Sequence, residues 1–125
     1  MMRSSDTMAT VAKKKYRVVA SPLFKLSLQR FRAFLARSNS SEFALNTSLD
    51  IKRRIEQELT ENPELAPVSE RLFDLGLTEY RQWALDEHNV VFYKVHSTEY
   101  RIELLLIIDS RQSARKLLFE LNLLI

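Results

Sequence analysis

The run Tyr100-Arg101-Ile102-Glu103-Leu104-Leu105-Leu106-Ile107-Ile108 decides the fold. It starts with alternating polar and apolar residues and ends almost wholly apolar. Alternation marks a strand with one wet face, and a continuous apolar run marks a strand covered on both faces. This strand is therefore expected at the centre of a sheet, with something covering its far side. Two further strand signals precede it, Tyr80-Arg81-Gln82-Trp83-Ala84-Leu85 and Val90-Val91-Phe92-Tyr93-Lys94-Val95. The turns between them, Asp86-Glu87-His88-Asn89 and His96-Ser97-Thr98-Glu99, use Asp, Asn and Ser chemistry in place of glycine. The three strands are expected to leave one wet, partly basic sheet face.

Upstream, Tyr16-Arg17-Val18-Val19-Ala20 reads as a short strand. Ser21-Pro22 reads as the N-cap and first position of a helix that runs to about Arg37. Phe24, Leu28, Phe31 and Leu35 share one face of it, and Lys25, Gln29 and Arg32 another. After the polar break Ser38 to Ser41, a second helix is expected from about Glu42 to Glu61. Leu45, Leu49 (or Ser48), Ile51, Ile55 and Leu59 form its apolar side, and Asn62-Pro63 ends it. Pro63 to Glu70 reads as a loop, and Leu75-Gly76-Leu77 turns the chain into the first hairpin strand. Asp109 or Ser110 is expected to cap a final helix, with Gln112 completing a capping box. Ala114, Leu117, Leu118, Leu121 and Leu124 give that helix an apolar stripe.

The predicted fold class is α+β. A small, mostly antiparallel sheet packs on a helical hairpin in two layers, in the order β-α-α-β-β-β-α. The first strand joins the later ones at an edge or beside the long third strand. Leu104, Leu106 and Ile108 are expected against the hairpin, with Phe31 and Ile55 nearby. At 125 residues the chain is one domain. Residues 1–14 read as a flexible basic leader, 15–125 as the domain, and Met8 is an alternative start to Met1.

Composition narrows the function classes. There is no cysteine, so disulfides and thiolate metal sites are excluded. No apolar run approaches the roughly 20 residues of a membrane span, and Met1 to Val11 lacks the apolar core of a signal peptide. The expectation is a cytoplasmic protein without membrane contact. A single glycine rules out a glycine-rich phosphate loop. His88 and His96 fall in predicted turns without ligand spacing, so neither metal nor cofactor is expected. Residues 1–37 carry nine Lys and Arg against Asp6, a local charge of +8, while the remainder carries ten basic and fifteen acidic residues, a charge of −5. A basic half suggests an acidic partner.

Tyr16-Arg17-Val18-Val19, Phe92-Tyr93-Lys94-Val95 and Ile102 to Gln112, with its Asp109-Ser110-Arg111-Gln112 step, form an ordered set. Over roughly Tyr16 to Leu121 that set resembles the RelE/ParE superfamily of bacterial type II toxins, which includes plasmid stabilisation proteins. The resemblance implies a growth-inhibiting toxin held by a cognate antitoxin. One branch of the superfamily cuts messenger RNA on the ribosome, and the other inhibits DNA gyrase and cuts nothing. The nuclease pattern of two lysines, two arginines and a tyrosine falls here on Arg81 and Trp83, Val90, Arg111, and Leu117. Arg81 and Arg111 remain candidate charge clamps, but arginine is a poor general base and the other three cannot carry protons. The resemblance therefore leans toward the non-nuclease branch acting by protein contact. A ribosome-dependent endoribonuclease is the alternative, and an antitoxin-binding protein without toxicity a third reading. Candidate partner contacts are Arg30, Arg32, Arg81, Arg111, Leu117 and Leu121. On the bland reading, Arg81 and Arg111 pair only with Asp86 or Glu103, and Lys52-Arg53-Arg54 and Glu56, Glu58 and Glu61 are solvated helix surface.

Overall fold

The computed structural model describes residues 15–121. The basic leader and Leu124 lie outside them. Strand β1 (Arg17–Ala20) leads into helix α1 (Pro22–Ser38), helix α2 (Ser41–Arg54) and a π-helical turn, Ile55–Leu59. A short helix α3 (Glu70–Phe73) precedes strands β2 (Tyr80–Ala84), β3 (Asn89–His96) and β4 (Arg101–Asp109), and helix α4 (Ala114–Glu120) follows. The sheet order is β1-β4-β3-β2. β1 runs parallel to β4 and the other pairs are antiparallel. The α+β architecture and a central third hairpin strand are as the sequence reads, and β1 takes an edge beside that strand.

Local chemistry sets the helix starts. The hydroxyls of Ser21, Ser40, Ser69 and Ser113 accept hydrogen bonds from the amides of Phe24, Phe43, Leu72 and Lys116, each three residues on. The final helix is therefore capped by Ser113, not by Asp109 or Ser110. Asp109 has other work: its carboxylate accepts from Arg111, and its amide donates to Gln112 Oε1 at 2.9 Å. Gly76, at φ +89°, supplies the left-handed residue that turns the chain toward β2.

Two cores sit on the two faces of the sheet. On the hairpin face, Phe24, Phe31 and Leu35 of α1 and Ile51 and Ile55 of the second helical segment meet Val91, Tyr93, Ile102, Leu104 and Ile107. On the opposite face Leu72 of α3 and Leu117 and Leu118 of α4 cover Val90, Phe92, Leu106 and Ile108.

Leu106 and Ile108 thus lie on the face opposite to the expected one. The register explains why. Phe92 pairs with Leu106 but its neighbour Tyr93 pairs with Leu104, so Leu105 is an extra residue in β4. Such a bulge inverts the side-chain parity beyond it. Ile102 and Leu104 face the hairpin before it; Ile107 does so after it. The bulge also divides the opposite face. Its upper half is sealed by α3 and α4. Its lower half, with Lys94, His96, Arg101 and Glu103 in facing register, stays partly exposed. The wet face predicted from the sequence is thus half a face.

Leu45 and Leu49 are also displaced from expectation, being about half exposed at 49% and 52%. The face of α2 is set by Ile51, Ile55 and Leu59, and its helical period runs back through Ser48 to Ala44, both buried.

Candidate partner-binding site

β4 delivers Asp109 to the rim of the sheet with its carboxylate fully buried. Arg111, two residues on, neutralises it. Its Nε donates to Oδ1 and its Nη2 to Oδ2, both at 2.7 Å, and its amide donates to Oδ1 at 2.9 Å. The paired guanidinium is the main cause of a lowered Asp109 pKa, outweighing burial, which pushes the other way. The same guanidinium lies 5.3 Å from the centroid of the Phe34 ring on α1. Arg111 is thereby fixed between strand and helix, yet its side chain stays 53% exposed.

Beside it α1 and α4 enclose a cleft of about 700 Å³. Arg30 and Arg37 of α1, Arg111, and Lys116 of α4 line it, with Glu120 as the lone acid, hydrogen-bonded to Arg30. Leu117 forms part of the floor and is itself buried in the second core. Leu121, half buried, packs against that core at the end of α4. The cleft thus brings together Arg30, Arg111 and Leu117 from the sequence-derived set.

Of the other three, Leu121 sits at the end of α4 outside the lining, and the two arginines lie elsewhere. Arg32 projects from another side of α1, and its Nε donates to Ser48 Oγ at 3.4 Å. Arg81 shares the hairpin-side parity of Trp83 and donates from Nη1 to the Ala66 carbonyl at 2.6 Å, with Glu64 at 4.0 Å. Neither Arg81 nor Arg111 pairs with Asp86 or Glu103. Arg81 works with Tyr93, whose hydroxyl donates to the Pro63 carbonyl at 2.6 Å, to hold the loop before α3. Burial pushes the Tyr93 hydroxyl up to about 12.

Trp83, Val90 and Leu117 are all buried, at 5%, 4% and 5% exposure. Trp83 underlies Arg54, whose guanidinium sits 5.5 Å from the ring centroid, bonds the Leu85 carbonyl and pairs with Glu58. Among the described residues no group of three or more His, Cys, Asp and Glu is placed to hold a metal. No described helix is long and apolar enough to cross a membrane.

One constellation escaped the sequence reading. On the lower sheet face His96 Nε2 lies 2.9 Å from Glu103 Oε1, and Arg101 reaches the same oxygen at 4.0 Å. Lys94 stands 5.8 Å over the Tyr80 ring. Alternation in Lys94/His96 and Arg101/Glu103 was its only signal, because the pairing depends on strand register.

No family model and no curated protein matches this sequence. Among solved structures, the chain is similar to the toxin–antitoxin complex RelBE2 from Mycobacterium tuberculosis. The identity is 11%, over 77% of this chain and 99% of that one, with a TM-score of 0.53. The fold is RelE-like. Trp83, Val90 and Leu117, on which the family resemblance places part of the nuclease pattern, are apolar and packed into the two cores.

Proposed function

We propose that the chain is the toxin component of a type II toxin–antitoxin module, neutralised by a cognate antitoxin. Its action is protein–protein contact of the ParE type, with DNA gyrase the first target to test and plasmid stabilisation the setting. The reading rests on the RelE-like fold together with the burial of Trp83, Val90 and Leu117, the positions onto which the family resemblance carries the nuclease branch's protonatable groups. The basic α1–α4 cleft supports an acidic antitoxin segment as occupant, since Arg37 and Lys116 add charge beyond the Arg30–Glu120 pair. The test is induced expression, following growth, DNA supercoiling and message integrity. Growth arrest with altered supercoiling and intact message is expected. Unimpaired growth at full expression would sink the toxin reading.

A second reading, a ribosome-dependent endoribonuclease, is favoured by the His96–Glu103 pair beside Arg101 and Lys94. An imidazole and a carboxylate within hydrogen-bond reach can move a proton, and neighbouring cations can stabilise a phosphorane. Message cleavage that disappears in His96→Ala and Glu103→Gln would replace the contact mechanism with this one. Cleavage lost instead in Arg81→Ala and Arg111→Ala would place the chemistry on the sequence-derived pair.

A further inference from the structure

The two edges of the sheet are finished differently. The β2 edge is closed by the loop before α3: Ser69 N–H donates to the Tyr80 carbonyl at 2.7 Å and Gln82 N–H to the Pro67 carbonyl at 2.9 Å. The β1 edge is not. Among the described residues no strand lies beyond β1. The amides of Arg17 and Ser21 donate inward, to the carbonyls of Tyr100, just before β4, and of Leu104 in β4. By the alternation of a parallel ladder, the N–H and C=O groups of Val18 and Ala20 point outward. The side chains of Val18 and Ala20 line one wall of a mainly apolar cleft of about 300 Å³, whose other walls include Phe24, Leu28 and Leu49. Leu49 is 52% exposed at its mouth. Arg32 and Lys52 line the same cleft against one acid, Glu56, and Lys15 and Arg17 flank the strand.

We infer that the β1 edge and this cleft together form a second docking surface, one that takes an extended, acidic strand of another protein. Backbone groups of Val18 and Ala20 supply the ladder, and the cleft takes every second side chain as an apolar anchor. Charge selects the occupant. Antiparallel pairing with β1 of a second copy would bring two sets of Lys15 and Arg17 along one four-residue ladder, the device by which natural edges resist self-association. An acidic strand meets the same cations with the opposite sign. The surface lies apart from the α1–α4 cleft and does not depend on the toxin reading.

The test uses the full-length chain and three synthetic decapeptides. One alternates valine and glutamate, one valine and lysine, and one is the glutamate peptide with a central proline. Binding is followed by titration calorimetry and by amide hydrogen exchange read by NMR. The glutamate peptide is expected to bind, to slow exchange at Val18 and Ala20 specifically, and to weaken roughly tenfold as added salt screens the rim. The lysine and proline peptides should bind at least about tenfold more weakly, the affinity step of one lost contact of ~1.4 kcal/mol. Val18→Pro removes an outward donor while sparing the bonds to β4, and should abolish binding with the fold intact by circular dichroism. Equal binding of the lysine peptide, or no binding of the glutamate peptide, overturns the inference. So does prior occupation: β1 dimers in sedimentation, or Val18 and Ala20 amides already protected in the free chain and released by deleting residues 1–14.

Discussion

The buried Ser27 hydroxyl on α1 accepts a hydrogen bond from the Ile107 amide of β4 at 3.0 Å, and gives its own proton to the Phe24 carbonyl at 2.9 Å. β1 pairs with β4 only as far as Leu104, so Ile107 lies on a stretch of β4 that β1 does not reach. There α1 takes the place of a strand, and one serine does what a ladder would do. Ser27→Ala would leave a buried N–H unsatisfied, a loss of about 1–3 kcal/mol. Ser48→Ala, which removes a hydroxyl bonded to Ala44 within its own helix and to the exposed Arg32, is the control and should cost less, since Arg32 can turn to water. Urea denaturation of both variants measures the difference, and equal losses would count against this role for Ser27.

The bulge at Leu105 makes a sharper prediction than burial alone. Leu106→Ala empties space in the second core, against α4, and should cost about 2–5 kcal/mol. Its near-ultraviolet signature should spare Trp83, which packs on the other face. Deleting Leu105 would restore simple alternation while keeping Leu106 and Ile108 on the second-core face and Ile107 on the hairpin face. That variant is expected to unfold cooperatively at reduced stability, since the Leu105 side chain leaves the second core, whereas loss of cooperative unfolding would show that the bulge itself is required.

Asp109 predicts the acid limb of stability. Its folded pKa lies below its ordinary value because Arg111 holds the charged form. The contribution is therefore present above the unfolded pKa and lost as pH falls through the folded one. Arg111→Ala should raise the acid-unfolding midpoint, because the buried carboxylate loses the guanidinium that neutralises it. Asp109→Asn should flatten the pH dependence in the same window. Thermal melts from pH 2 to 7 read both.

The α1–α4 cleft predicts partner kinetics. Arg37→Glu and Lys116→Glu should slow association with an acidic antitoxin, and more so at low salt, with little change in dissociation. Arg32→Glu should leave contacts in this cleft untouched, since Arg32 faces Ser48. Leu121→Ala should raise the off-rate and also lower stability, because Leu121 packs on the second core. Surface plasmon resonance against the product of the neighbouring reading frame, at two salt concentrations, separates these. Association independent of salt would remove the electrostatic role.

Much of this molecule is legible in its sequence because it is local. Ser21-Pro22 announces the start of α1, the apolar period of Phe24 to Leu35 its inward face, and the apolar half of Tyr100 to Ile108 a central strand. The four-residue helix α3 falls below the length at which a period can be read. The remaining decisions are tertiary. The bulge at Leu105 exists only in the pairing of β4 with β3, so parity within β4 alone put Leu106 and Ile108 on the wrong face. Arg81 and Arg111 looked alike as lone cations near strands. One holds a loop carbonyl and the other a buried carboxylate, because the pleat sends Arg81 toward Ala66 while the turn after β4 folds Arg111 back over Asp109. Residue type and spacing determined which elements form. Register, which depends on partners far away in the chain, decided which face each side chain serves.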